Sequence, residues 1–254
     1  MKVFITGASS GLGAALARHY AARGATVGLA ARRKSLLDEL AAGLPGSTHH
    51  VYALDVVDAG ALADAGRDFI DRAGVPDIVI ANAGVSAGTL AGESGDLPAF
   101  RRIFETNVLG MVHTFHPFIG AMRAAGRGRL VGIGSVAGIR GLPGAGAYSA
   151  SKAAAAASLE SLRVELRDSG VKVVTVAPGY IETPMTAVND YPMPFMLPAD
   201  EAARRIAVVI DAGRSHAVVP WQMAIAAKLL RLLPDALYDA LAAKAGRKPR
   251  GLER

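Results

Sequence analysis

The chain has 254 residues, 51% apolar and 20% charged, with no cysteine. That excludes a disordered chain, a disulfide scaffold, a thiolate nucleophile, a Cys-ligated zinc and an iron–sulfur cluster. The net charge, 28 − 22 = +6, suits an anionic cofactor and is too diffuse to argue for nucleic acid.

Met1-Lys2 leads directly into an apolar run, which reads as a chain without an export signal. No run approaches the ~18 apolar residues of a membrane span, so a cytoplasmic protein is expected. Residues 3–5 read as a strand and 12–23 as a helix stopped at Gly24. A strand at 26–31, a helix at 34–42 stopped at Gly43, and a strand at 50–54 follow. Then come a helix at 59–72 stopped at Gly74, with Asp58 a candidate N-cap, and a strand at 77–81. The second half continues with a long helix at 98–125, a strand at 129–133, a helix at 147–167 and a strand at 171–176. The strands are continuous apolar runs without alternation, which implies burial on both faces. This alternation predicts an α/β fold: a Rossmann-type doubly wound, mostly parallel sheet of about seven strands with helices on both faces. With no linker and no internal repeat, one domain over 1–254 is expected.

Two segments break the rhythm. Residues 180–198 carry Pro184, Pro192, Pro194, Pro198, Tyr191, Met193, Phe195 and Met196, the composition of a binding loop. From 221 to about 245 the chain turns amphipathic, with Trp221, Ile225, Leu229 and Leu232 on one face and Lys228 and Arg231 off it. That face could pack on the body, meet a partner subunit or touch a membrane surface. Behind it Lys244, Arg247, Lys248, Arg250 and Arg254 are opposed only by Glu253.

Thr6-Gly7-Ala8-Ser9-Ser10-Gly11-Leu12-Gly13 joins the first strand to the first helix. Gly7 permits the turn, Gly11 lets backbone N–H groups approach a pyrophosphate, and Gly13 lets the helix lie close to the sheet. The helix N-terminus adds oriented donors and partial positive charge. Further on stand Asn82-Ala83-Gly84, Ser135, Tyr148 with Lys152 four residues later, and Pro178-Gly179 with Thr183. Together these resemble the short-chain dehydrogenase/reductase family over about residues 2–184: its TGxxxGxG loop, its NAG, its Ser…YxxxK signature and its PGxxxT element.

The second predicted strand ends in Arg32-Arg33-Lys34, where an NAD-binding chain would carry a carboxylate for the ribose hydroxyls. A guanidinium there suits a 2′-phosphate. NADP(H) is therefore expected over NAD(H). The resemblance makes Arg32 the first contact, with Arg33 beside it and hydroxyls from Ser9 and Ser10. It also implies adenine contacts from Asp55-Val56 and ribose contacts near Asn82. Ile181 and Thr183 are implied to hold the nicotinamide carboxamide, with transfer of the pro-S hydride.

Tyr148 and Lys152 share a helical face. An ammonium about 4 Å away favours a phenolate by up to ~4 kcal/mol at an effective dielectric of 20, equivalent to ~3 pH units. Tyr148 can then exchange protons with substrate, and Ser135, at a strand's carboxyl end, can donate to a carbonyl oxygen. The resemblance adds Asn107 as a fourth catalytic position that kinks its helix and holds a relay water. It further implies that Lys152 holds the nicotinamide ribose and that subunits pair as a homodimer or homotetramer through the helix of Tyr148 and the long helix before it. Tyr180 and Met185 are candidate substrate contacts with Ser135 and Tyr148. The six histidines lack ligand-spaced carboxylates and read as structural, so no metal is expected. The function expected is NADP(H)-dependent hydride transfer between nicotinamide and the carbonyl or secondary alcohol of a largely apolar small molecule. The alternative is a non-catalytic NADP-binding sensor or scaffold, which would have no need of Tyr148.

Overall fold

The computed structural model describes residues 1–46 and 48–251; Glu253 and Arg254 of the basic tail lie outside them. Seven strands form one parallel sheet: β1 (Lys2–Thr6), β2 (Thr26–Ala31), β3 (His50–Ala53), β4 (Ile78–Ala81), β5 (Gly128–Ile133), β6 (Val171–Pro178) and β7 (His216–Val219). Their order is β3-β2-β1-β4-β5-β6-β7, each pair parallel. Winding reverses between β1 and β4, and the carboxyl ends beside that reversal form a natural crevice.

The continuous apolar strands are what a sheet buried on both faces requires. Val3 and Ile5 of β1 enter one core with Leu16, Leu29, Ile80 and Ile206. Phe4 between them enters the other, with Phe69, Phe118 and Leu159. The first layer is made by α1 (Gly11–Ala21), α2 (Lys34–Gly43) and α8 (Ala199–Asp211); the second by α3 (Ala59–Ala73), α5 (Gly110–Ala124) and α6 (Gly146–Glu165). Asp58 caps α3, accepting from Ala61 N–H at 2.9 Å.

The expected long helix is three pieces: α4 (Leu97–Phe104), a π-helical turn at Glu105–Leu109, and α5. The loop at 180–198 contains a short helix, α7 (Pro184–Ala187), and is pinned where Ile181 bridges Leu197. The sequence reading located neither α8 nor β7. Beyond them stand α9 (Trp221–Leu232) and α10 (Asp235–Ala242). The face of Trp221, Ile225, Leu229 and Leu232 points away from the body, Trp221 64% and Leu232 71% exposed, while Ala227 is buried beneath. No helix among the described residues is long and apolar enough to cross a membrane.

Candidate active site

The carboxyl ends of β1, β2, β4, β5 and β6 open into one cleft, which residues of all four motifs line, with Thr6 and Gly13 of the glycine loop buried outside its lining. At its floor the loop from β1 to α1 turns at Gly7, whose φ of +67° is left-handed. A Cβ at Gly13 would stand 2.2 Å from the Gly7 carbonyl, so α1 can start here only as glycine. Ser10, the residue before α1, makes no side-chain cap. The first-turn N–H groups are therefore left for a ligand rather than satisfied by a hydroxyl. Thr6 and Asn82 fix this loop from below. Asn82 Nδ2 donates to the carbonyls of Thr6 and Gly7 at 3.1 and 3.2 Å, and the Thr6 hydroxyl accepts from Asn82 and Ala83 N–H. Asn82 thus supports the loop backbone and also lines the cleft.

At the β2 end Arg33 donates to the hydroxyls of Ser9 and Ser10 at 2.9 and 2.8 Å. Arg32 also lines the cleft and lies close enough to Asp55 to help hold its carboxyl down. Burial acts to raise Asp55, but a 2.5 Å ion pair with Arg102 and the Val57 N–H more than offset it. Arg102, on α4, and the hydroxyl of Thr106, buried without a partner among the described residues, belong to this wall and were not singled out by sequence. No motif marks them, because they reach the cleft only through the packing of α4 and its π turn.

A nicotinamide dinucleotide fits these residues: a glycine cradle with free helix N–H groups for the pyrophosphate, an arginine pair beside two serines, and an orphan hydroxyl on the wall.

At the other end Ser135 closes β5 and accepts from Ala137 N–H at 3.1 Å. Burial raises the Tyr148 phenol, and the neighbouring Ser135 hydroxyl acts in the opposite direction. Lys152, 6% exposed, donates to the Ile133 carbonyl at 2.8 Å, and burial pushes its ammonium down to about 8. Its Nζ lies 5.8 Å from the centroid of the Tyr148 ring. The ammonium is turned to the β5 carbonyl, and desolvation is the largest influence on both groups.

Asn107 sits in the π turn, a feature often found at functional sites. Its Oδ1 accepts from Val85 N–H at 2.8 Å; its Nδ2 donates to the Val85 carbonyl and the Ser151 hydroxyl, each at 3.0 Å. Its side chain is thereby committed to protein groups, tying the loop after Gly84 to α6. A Cβ on Gly84 would lie 3.2 Å from Asn107 Oδ1 and 3.6 Å from Lys152 Nζ. Thr183, before α7, shares a reciprocal cap with Thr186. Tyr180 packs edge-on against Tyr191, ring centroids 6.4 Å apart, and does not line the cleft; Met185 does.

A family model described as short chain dehydrogenase matches residues 1–192. The chain belongs to that family. This short chain dehydrogenase is 41% identical over 242 residues to an uncharacterized oxidoreductase of Myxococcus xanthus, covering 94% of each chain. Among solved structures it resembles levodione reductase with a TM-score of 0.80 at 26% identity, covering 88% of this chain and 97% of that one. It also resembles the alcohol dehydrogenase of the archaeon Thermococcus sibiricus complexed with 5-hydroxy-NADP. There the TM-score is 0.76 at 25% identity, over 86% of this chain and 95% of that one. It is therefore an oxidoreductase of a family that binds nicotinamide cofactors.

Proposed function

We propose that this oxidoreductase is an NADP(H)-dependent reductase of carbonyl groups, or the corresponding alcohol dehydrogenase in reverse, acting on a largely apolar small molecule. The observation that carries it is the meeting of Tyr148, Ser135 and buried Lys152 in the cleft that the glycine loop and Arg33 enter. The cofactor, when bound, supplies or accepts the hydride. The rest falls to the chain. Burial keeps the Tyr148 phenol protonated at neutral pH, as an acid must be before it gives its proton to a carbonyl oxygen. The Ser135 hydroxyl can donate to the same oxygen, where negative charge grows during reduction. Lys152, mostly protonated at pH 7, offers the positive charge that favours the phenolate left behind. Gly7, Gly11, Leu12 and the N-terminus of α1 would hold the pyrophosphate; Arg32, Arg33, Ser9 and Ser10 the 2′-phosphate. Val56 and Asp55 would meet the adenine, and Pro178, Gly179, Ile181 and Thr183 the nicotinamide end.

The preference for apolar substrates is supported by Met185, Tyr191 and the remaining methionines of the substrate loop, which has no Lys or Arg between 180 and 198. Substrate-dependent oxidation of NADPH by the wild type and Tyr148→Phe tests the reading. The variant is expected to lose more than nine tenths of kcat while its NADPH Kd changes less than twofold, since the phenol acts only in the chemical step. Retention of more than a tenth of kcat would overturn the general-acid assignment, and NADPH binding by the wild type without turnover of any carbonyl would favour the sensor reading.

A further inference from the structure

Residues 246–250 do not trail into solvent. They run between the loop after β4 and the substrate loop at 180–198 and touch both. On one side Gly88 N–H donates to the Pro249 carbonyl at 2.7 Å, and Gly88 pairs with Arg250 as a parallel bridge. There the Arg250 guanidinium reaches Asp96 from two nitrogens at 3.0–3.3 Å and Glu93 at 3.3 Å. The Asp96 side chain is only 7% exposed and also accepts from Leu90 N–H at 2.8 Å, so the anchor is set into the loop rather than laid on it. On the other side Lys248 donates to the Met185 carbonyl at 3.0 Å, and Gly246 lies against the ring of Tyr191.

The contacts are too close for ordinary side chains. A Cβ on Gly88 would stand 2.2 Å from the Lys248 carbonyl, and one on Gly246 would stand 2.3 Å from Tyr191 Cβ. The strand-like bridge, the buried carboxylate and the two glycines are separate observations that place the segment on the same track. The second side matters for substrate. Met185 lines the cleft, and Tyr191 lies near enough to Tyr148 and Tyr180 for their charges to bear on its phenol.

We propose that residues 246–250 form a strap that fixes the far wall of the substrate cleft, holding Met185 and Tyr191 where a long apolar substrate would rest. Substrate length would then be selected by positioning residues outside the catalytic set. Arg250 and Gly88 act through Tyr191 and Met185 and touch no reacting atom. The inference rests on the carbonyl-reductase reading for its substrate class; the seating of the strap does not.

Two changes unseat it in different ways: Arg250→Ala removes the anchor, and Gly88→Val pushes the segment away without altering charge. A chain ended after Ala245 serves as reference. Amide hydrogen exchange tests seating without substrate. In each variant, peptides over 85–92 and 184–192 are expected to exchange at least fivefold faster, while those over β1 and β5 stay unchanged. Selection is read by calorimetry on the NADPH complex in a Tyr148→Phe background, which needs no turnover. The probes are acetophenone and an aryl ketone with a long alkyl chain. Kd for the long ketone should rise at least fivefold, and that for acetophenone and for NADPH less than twofold. Unchanged exchange overturns the strap, and faster exchange with an unchanged ratio of ketone affinities overturns its role in selection. Persistent turnover by Tyr148→Phe would instead overturn the catalytic reading, so the two failures are separable.

Discussion

Lys152 is an amine held largely away from water. Its folded-state pKa, about 8 against an ordinary 10.5, means that below pH 8 the chain keeps a charge in a place that disfavours it. In the unfolded chain the same ammonium is solvated. The native state therefore binds fewer protons between about pH 8 and 10.5, and stability rises with pH across that window. Lys152→Met should raise unfolding free energy at pH 7 by about 1–3 kcal/mol, the desolvation penalty less the lost hydrogen bond to Ile133. The gain should fade as pH rises from 8 to 10.5 while turnover stays abolished. Urea unfolding of wild type and variant at pH 7 and 10 measures it; a variant less stable at pH 7 would refute the argument.

Arg32 and Arg33 provide the second case at this scale. The run of cations is plain in the sequence, but which of two neighbours turns toward the glycine loop depends on how the chain leaves β2. Arg33 is the one bonded to Ser9 and Ser10, although the family resemblance points first to Arg32. We expect NADPH to bind at least tenfold tighter than NADH, a difference of ~1.4 kcal/mol or more. Arg33→Ala should erase more of that preference than Arg32→Ala. Fluorescence titration of both cofactors decides it, and equal wild-type affinities would refute the preference altogether.

At the scale of elements, the βα rhythm was legible because each strand is apolar on both faces and glycine closes most of the early helices. The two unlocated elements lack such signals. Pro198 and the apolar loop before it disguise the start of α8, whose face of Ala202, Ile206 and Ile210 is interrupted by Arg204 and Arg205. β7 is four residues long and opens on exposed His216. The π turn is invisible to periodicity, because it shifts the phase between two helices that each read as regular. Among site residues, those in local motifs could be found by spacing. Arg102 and Thr106 could not, and neither could Arg250, whose partner Asp96 is 154 positions away. Asn107 is where the π turn can be tested. Asn107→Leu removes three hydrogen bonds to Val85 and Ser151 and leaves buried backbone groups unpaired, at about 1–3 kcal/mol for a neutral group. Thermal unfolding should show a fall in Tm of several degrees together with a loss of kcat. An unchanged Tm would mean that the turn is held by its packing alone.

At the scale of the whole molecule, large apolar side chains remain exposed on α4, the π turn, α5 and α6: Leu97, Phe104, Leu109, Val112 and Val164. Ala157 stands exposed on α6 as well. Apolar surface shared by adjacent helices is a common ground for pairing subunits about a two-fold axis. We propose a homodimer, or a tetramer of two such dimers, that buries this surface. Light scattering at micromolar concentration should give a mass of at least two chains, and Ala157→Glu should lower it, since an unpaired buried charge costs several kcal/mol. A wild-type mass of one chain would refute the pairing.

The strand order also constrains how the chain can reach this state. With every neighbour parallel, no two strands can zip from a tight turn; each pairing waits for a helical crossover to form and swing round. The central pairing of β1 with β4 joins Val3 to Ile78, so the sheet's middle cannot close until almost a third of the chain is available. Until then β1 keeps an open edge beside Phe4 and Ile5, and the long loops to be closed slow the search. Refolding from denaturant should therefore fall in the slow range for its size, and crowding of chains at that stage should favour aggregation over assembly.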